Sequence, residues 1–132
     1  AEFYSVDGAA RLAPVLAEAQ PGNYVVGVCD APFKCPPAPS ECALLLHELL
    51  VDRGVRERST ITFTIPLPSP VPPSPDASAA LLEAFAERDI RFVPGVRPTG
   101  LDGARVTYDD GSVLPYDVFL GVPKHRAPEV VL

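Results

Sequence analysis

The chain has 132 residues, 47% of them apolar, enough to bury the core of one domain without disulfide or metal staples. Its 17 prolines are about 13% of the residues against an average near 5%, but with only 9 glycines, apolar runs between the prolines and no Gly-X-Y period they predict rigid loops rather than disorder or collagen. A net charge of −6 with no Lys/Arg-rich run excludes a nucleic-acid partner, and no apolar stretch approaches the roughly 20 residues of a bilayer span.

Residues 8–19 place Leu12, Val15, Leu16 and Ala19 at helical spacing, with Pro14 read near the start and Pro21-Gly22 as the stop. Tyr24 to Val28 is a continuous apolar run, the pattern of a strand buried on both faces. A proline-rich loop from Asp30 to Pro39 precedes a helix over 40–53, with Ser40 as N-cap and Gly54 as C-terminal stop. Ile61 to Ile65 is a second strand, rich in β-branched residues. After a second proline loop, 66–75, Ser74-Pro75 opens a helix to about Arg88 that carries Leu81, Leu82 and Phe85 inward. Ile90 to Val93 is a third strand. Arg105–Tyr108 and Ser112–Leu114 then flank Asp109-Asp110-Gly111, a hairpin with a solvated tip, and Val118 to Val122 is a last buried strand.

This order predicts an α/β fold: one Rossmann-like, three-layer domain over residues 1–132. Its sheet is mostly parallel and doubly wound, an antiparallel hairpin is added, and helices lie over the sheet faces. Ligands of such folds approach the carboxyl ends of the strands, so the loop after Val28 is the place to seek chemistry. That loop keeps only Gly27 of a G-x-G-x-x-G fingerprint. Pro36, Pro37 and Pro39 remove donors that a pyrophosphate would need, Asp30 adds a repelling charge, and Pro66-Leu67-Pro68 stands where a ribose-binding acid is expected. NAD(P) binding is therefore not expected.

Cys29, Cys35 and Cys42 fall within 14 residues, an odd and clustered set unlike a secreted disulfide framework, and a reducing compartment fits it. Cys29 at a strand end and Cys42 on a stripe with Leu45, Leu46 and Leu49 read as core residues. Cys35 reads, from the residues alone, as a structural or incidental thiol, and Glu41 as a favourable charge in a first helical turn. Zinc held by Cys29, Cys35, Cys42 and His47 is disfavoured by their spacing, so no metal is assigned. His47 reads as a helix-surface residue and His125 as a capping or linker residue between Pro123 and Pro128.

Residues 25–41 (VVGVCDAPFKCPPAPSE), 114–119 (LPYDVF) and 122–130 (VPKHRAPEV) resemble the second nucleotide-binding-type domain of the sulfide:quinone oxidoreductase and flavocytochrome c sulfide dehydrogenase group. That group belongs to the FAD-dependent pyridine nucleotide-disulfide oxidoreductases. The resemblance covers nearly the whole chain but only the middle of a family member. It therefore implies an excised inserted domain whose partner is a missing FAD-binding domain, so FAD is expected in the full-length enzyme and not in this fragment, which is expected to be inactive alone. It also implies that Cys35 lies against the flavin as one half of a sulfur-transfer pair and that Glu41 lies near the flavin and serves proton movement. The electron acceptor, quinone or cytochrome, stays open, because residues 67–73 lack the histidine that sulfide:quinone members carry there. A cytoplasmic or peripherally membrane-associated location is expected. The alternative is a degenerate nucleotide-binding scaffold or partner-binding domain without redox chemistry, and an NAD(P)H-dependent flavoprotein reductase is a further, weaker reading.

Overall fold

In the computed structural model, which describes residues 1–131, four parallel strands form the central sheet. They are β1 (Asn23–Val28), β2 (Thr60–Ile65), β3 (Ile90–Pro94) and β7 (Val118–Val122), ordered β3-β2-β1-β7. The helices are α1 (Val6–Ala17), α2 (Ala38–Asp52) and α3 (Pro75–Glu87). Three short strands, β4 (Pro98–Leu101), β5 (Arg105–Tyr108) and β6 (Val113–Pro115), make a separate antiparallel meander.

Alternate residues of each central strand feed different layers, as period-2 geometry requires. Tyr24, Val26 and Val28 of β1, Ile61, Phe63 and Ile65 of β2, and Leu120 and Val122 of β7 pack with Leu12, Leu46, Leu50 and Phe85 of the helices. Val25 and Phe119 face the other way, against Val96, Val106 and Tyr108. The three-layer, mostly parallel α/β architecture is thus the expected one, but the helices do not cover both faces. All three share one face, and the meander covers the other. Right-handedness explains this: the steps β1-α2-β2-α3-β3 move in one direction along the sheet, and the return from β3 to β7 reverses it and crosses the opposite face.

The antiparallel part is also larger than a hairpin. β4 carries Pro98 and Gly100, which give no strand signal, and its pairing with β5 shifts register between those two residues.

Helix starts differ from the sequence reading where caps were misassigned. α1 begins at Val6, because the Ser5 hydroxyl accepts the Gly8 N–H at 3.0 Å, so Pro14 lies inside the helix rather than near its start. Only Gly8 and Leu12 of this helix are buried, and a helix so exposed tolerates one missing backbone bond. α2 begins at Ala38 with Pro37 in the capping position and no side-chain cap. Ser40 is not the N-cap: it sits fully buried in the first turn, its hydroxyl without a partner among the described residues. At the other end Gly54, at φ +67°, takes the left-handed turn that stops the helix, as expected.

α3 starts as read, with Ser74 accepting from the Ala77 N–H and Pro75 following. Phe85 points inward, against Phe63 and Phe92, but Leu82 is 39% exposed and does not. The second proline loop is pinned by Ser78, whose hydroxyl accepts the Val71 N–H at 3.0 Å and donates to the Val71 carbonyl at 2.9 Å. That is a rigid loop.

Candidate functional site

From β1 the chain steps one way across the sheet to β2 and β3, and it then returns to place β7 on the other side of β1, so the strand order reverses between β1 and β7 at the crevice by their carboxyl ends. Three segments meet there: the loop 29–37 after β1, residues 123–128 after β7, and the N-terminal residues 1–5. The last lie alongside β7, where the Ala1 carbonyl accepts the Gly121 N–H at 2.8 Å and Glu2 bridges to Gly121.

Asp30 anchors this edge. Its carboxylate is 2.8 Å from Lys124 Nζ and 3.5 Å from Arg97 Nε, and it accepts the Ala31 N–H at 2.9 Å. These bonds, Lys124 first, hold its carboxyl below the usual range. Asp30 was expected to repel anions, but two cations from distant loops more than offset it. Local sequence could not show this, since both partners come from other strand ends.

Cys35 is exposed and adopts a left-handed backbone, φ 55°. Its carbonyl accepts two donors, the Ala38 N–H at 3.0 Å and the Tyr4 hydroxyl at 3.3 Å. The Tyr4 ring lies edge-on to His125, with centroids 5.1 Å apart. His125, read as a cap or linker, instead packs against this tyrosine, and its Nδ1 is buried without a partner among the described residues. Tyr4 carried no sequence signal, because its role arises only from a fold that brings residues 31 positions apart together.

The other two cysteines sit elsewhere. Cys29 is half-buried against the meander layer, its sulfur 3.8 Å from the Gly27 carbonyl, and burial pushes its thiol up. Cys42 is half-buried on the helix side, where burial and then the charge of Glu41 push its thiol up to about 12. The stripe assigned to it is not a core stripe. Ala43, Leu46 and Leu50 make the buried face of α2, while Leu45 is 61% exposed and Leu49 half-buried. Cys42, Leu45 and Leu49 line an open apolar groove of about 590 Å³ with Phe3 and Leu16, and the exposed Glu41 stands at its edge in the first turn of α2. His47 accepts a bond from Arg56 Nε at its Nδ1. Among the described residues no three His, Cys, Asp or Glu side chains form a group that could hold a metal ion.

A dinucleotide finds few donors here. Pro37 and Pro39 lack an N–H, that of Ala38 is taken by Cys35, and that of Glu41 by the Pro37 carbonyl. Gly27, the last remnant of the fingerprint, serves packing: a Cβ there would lie 2.3 Å from Cζ of Phe119. We therefore expect no NADH or NADPH binding at millimolar concentration by titration calorimetry. Chemical-shift changes mapping a nucleotide onto residues 27–41 would overturn that expectation.

No protein-family model matches the sequence, and no curated protein matches it either. Solved structures do match. The sulfide:quinone oxidoreductase from the hyperthermophilic bacterium Aquifex aeolicus has a TM-score of 0.77 at 23% identity, over 98% of this chain and 32% of that one. Reduced CoADR-RHD from Bacillus anthracis has a TM-score of 0.66 at 20% identity, over 92% of this chain and 20% of its own. A ferredoxin reductase from Rhodopseudomonas palustris has 0.66 at 19% identity, over 92% and 28%. This is a likeness of fold, and the resemblance carried by residues 25–41, 114–119 and 122–130 has its counterpart in it. The chain spans about a third or less of the length of these structures.

Proposed function

We propose that these residues form the second, nucleotide-binding-type domain of an FAD-dependent oxidoreductase of sulfide:quinone oxidoreductase type, acting on sulfide or a related sulfur compound. The observation that carries this reading is Cys35: of the three thiols it alone is exposed, at the carboxyl edge of the parallel strands, three residues before α2. An exposed thiol is one that a sulfur compound can reach. Glu41, in the first turn of the same helix and open to solvent, has the position of a carboxylate that can take or give a proton.

On this reading the flavin is held by an FAD-binding domain outside these residues, a reading supported by the few backbone donors around Pro36, Pro37 and Pro39. When bound, the flavin supplies a two-electron acceptor for the sulfur chemistry. This domain's own part is to present the Cys35 sulfur, with a partner cysteine elsewhere in the polypeptide, and to place Glu41 near the flavin. The final acceptor is a quinone or a cytochrome, met in the cytoplasm or at a membrane surface.

The test uses the polypeptide that joins this domain to its FAD-binding domain. Cys35→Ser is expected to lower sulfide-dependent flavin reduction by about 1,000-fold or more with flavin content unchanged, as loss of a covalent nucleophile does. Glu41→Gln is expected to lower it by roughly 100-fold and to alter its pH profile. An unchanged rate in Cys35→Ser would leave the domain as a scaffold that shapes the flavin pocket.

A further inference from the structure

We propose that Tyr4 is the positioning residue of Cys35: its hydroxyl, donating to the Cys35 carbonyl, holds that residue in the left-handed conformation that turns its thiol to solvent. The functional meaning rests on the reading of Cys35 as the reacting thiol, but the geometry does not.

A φ of 55° is uncommon for a residue with a Cβ, and in this chain only Cys35 and Asp89 combine the two among the described residues. Pro36 adds to the difficulty, since a proline pushes the residue before it towards extended backbone. Such a conformation persists only where the surroundings over-determine it. The loop has little with which to do so, because Pro32, Pro36, Pro37 and Pro39 carry no N–H. The handle is the Cys35 carbonyl. One donor is local, the Ala38 N–H, and the other is Tyr4, reaching across from the N-terminal segment.

Tyr4 is itself held firmly. Its N–H donates to Glu2 Oε2 at 2.7 Å, and the Ser5 N–H donates to the same oxygen at 3.0 Å. Gly8 leaves room for that carboxylate, for a Cβ there would fall 1.8 Å from Glu2 Oε1. The ring is wedged between Phe3 and His125, with centroids 5.2 and 5.1 Å away. Burial first, then the nearby Cys35 and Cys42 thiols, raise the phenol to about 12. It therefore stays a protonated donor throughout the range in which an exposed thiol titrates.

The experiment compares the 132-residue chain with Tyr4→Phe and Tyr4→Leu. Three-bond couplings and backbone shifts report the φ of Cys35, and the rate of iodoacetamide labelling against pH reports its thiol. The wild type is expected to read left-handed at Cys35. In Tyr4→Phe the residue is expected to move to negative φ, and its labelling profile to change by about threefold in rate or by a displaced midpoint. Tyr4→Leu is expected to do the same. If Tyr4→Phe keeps the left-handed shifts and superposes on the wild-type profile while Tyr4→Leu alone departs, the ring and not the hydroxyl matters, and the proposal is overturned. If neither departs, it is overturned as well. Failure of the sulfide reading shows separately, as unchanged flavin reduction in Cys35→Ser, and leaves these φ and labelling readouts untouched.

Discussion

Alkylation of the folded chain near pH 7.5 is expected to modify Cys35 first, and Cys42 at least roughly 100 times more slowly than a thiol of ordinary pKa. The thiolate is the reacting form. With the Cys42 thiol pushed up to about 12, its thiolate population falls about three and a half powers of ten below that of a thiol at about 8.5. A more basic thiolate is also a better nucleophile, which returns about one and a half of those powers. Two remain, and the partial burial of Cys42 on the side of α2 that faces α1 adds to them by restricting access. Cys29 should fall between the two, since burial raises its thiol and the Asp30 charge adds to the shift. A time course with iodoacetamide and peptide mass mapping measures all three, and in urea the differences should collapse. Labelling of Cys42 or Cys29 ahead of Cys35 would remove the physical support for a redox role.

Arg56→Ala is expected to destabilise the chain by about 3 kcal/mol, a large effect for a residue outside the apolar core. Arg56 lies in a short 3-10 turn (Arg56–Arg58) between α2 and β2 and joins three elements. Its Nη1 donates to the Ser59 carbonyl at 2.8 Å, and its Nη2 to those of Arg88 at 2.6 Å and Asp89 at 2.8 Å, where α3 ends. Its Nε donates to His47 of α2 at 2.9 Å. Charge-assisted bonds are the stronger kind, and deletion leaves carbonyls at a helix end without their donor. Arg56→Lys should recover little, because one ammonium cannot span four acceptors in this fan. Urea unfolding should show a lower midpoint at unchanged slope; a loss under about 1 kcal/mol would mean that water replaces the guanidinium freely.

The same contact sets a pH dependence. Nδ1 of His47 accepts from Arg56 only while unprotonated. Burial and then the Arg56 charge hold His47 below its ordinary value of 6.5, against an opposing effect of Glu48. The unfolded chain therefore binds the proton first, so this contribution is complete above about pH 6.5 and is lost as the pH falls towards the folded value. In Arg56→Ala the acid-side loss should be shallower but still present, since burial is the larger cause. Urea midpoints between about pH 8 and pH 5 check both statements.

The central strands could be read from sequence because a strand buried on both faces must be apolar at successive residues, and Tyr24–Val28, Ile61–Ile65 and Val118–Val122 are. The start of α3 was readable for an equally local reason: Ser74-Pro75 supplies both the capping oxygen and the preset φ. Where two local signals compete, only packing decides. Ser40 offers a capping hydroxyl, but the prolines before it already start the helix and bury it; β4 has no strand signal and exists because β5 pairs with it.

The site divides in the same way. Cys35 and Glu41 were singled out only through the family resemblance of the contiguous stretch 25–41; by themselves they read as an incidental thiol and an ordinary first-turn charge. Tyr4, Arg97 and Lys124 were not singled out, for what they bind lies far along the sequence. The residue types by themselves determined the four central strands, the β5–β6 hairpin and the approximate extent of the three helices. The strand order β3-β2-β1-β7, which places the ends of β1 and β7 together beneath the N-terminal segment, decided which charges surround Asp30 and which hydroxyl reaches Cys35. Pairing across a sheet is a long-range choice that no local pattern encodes.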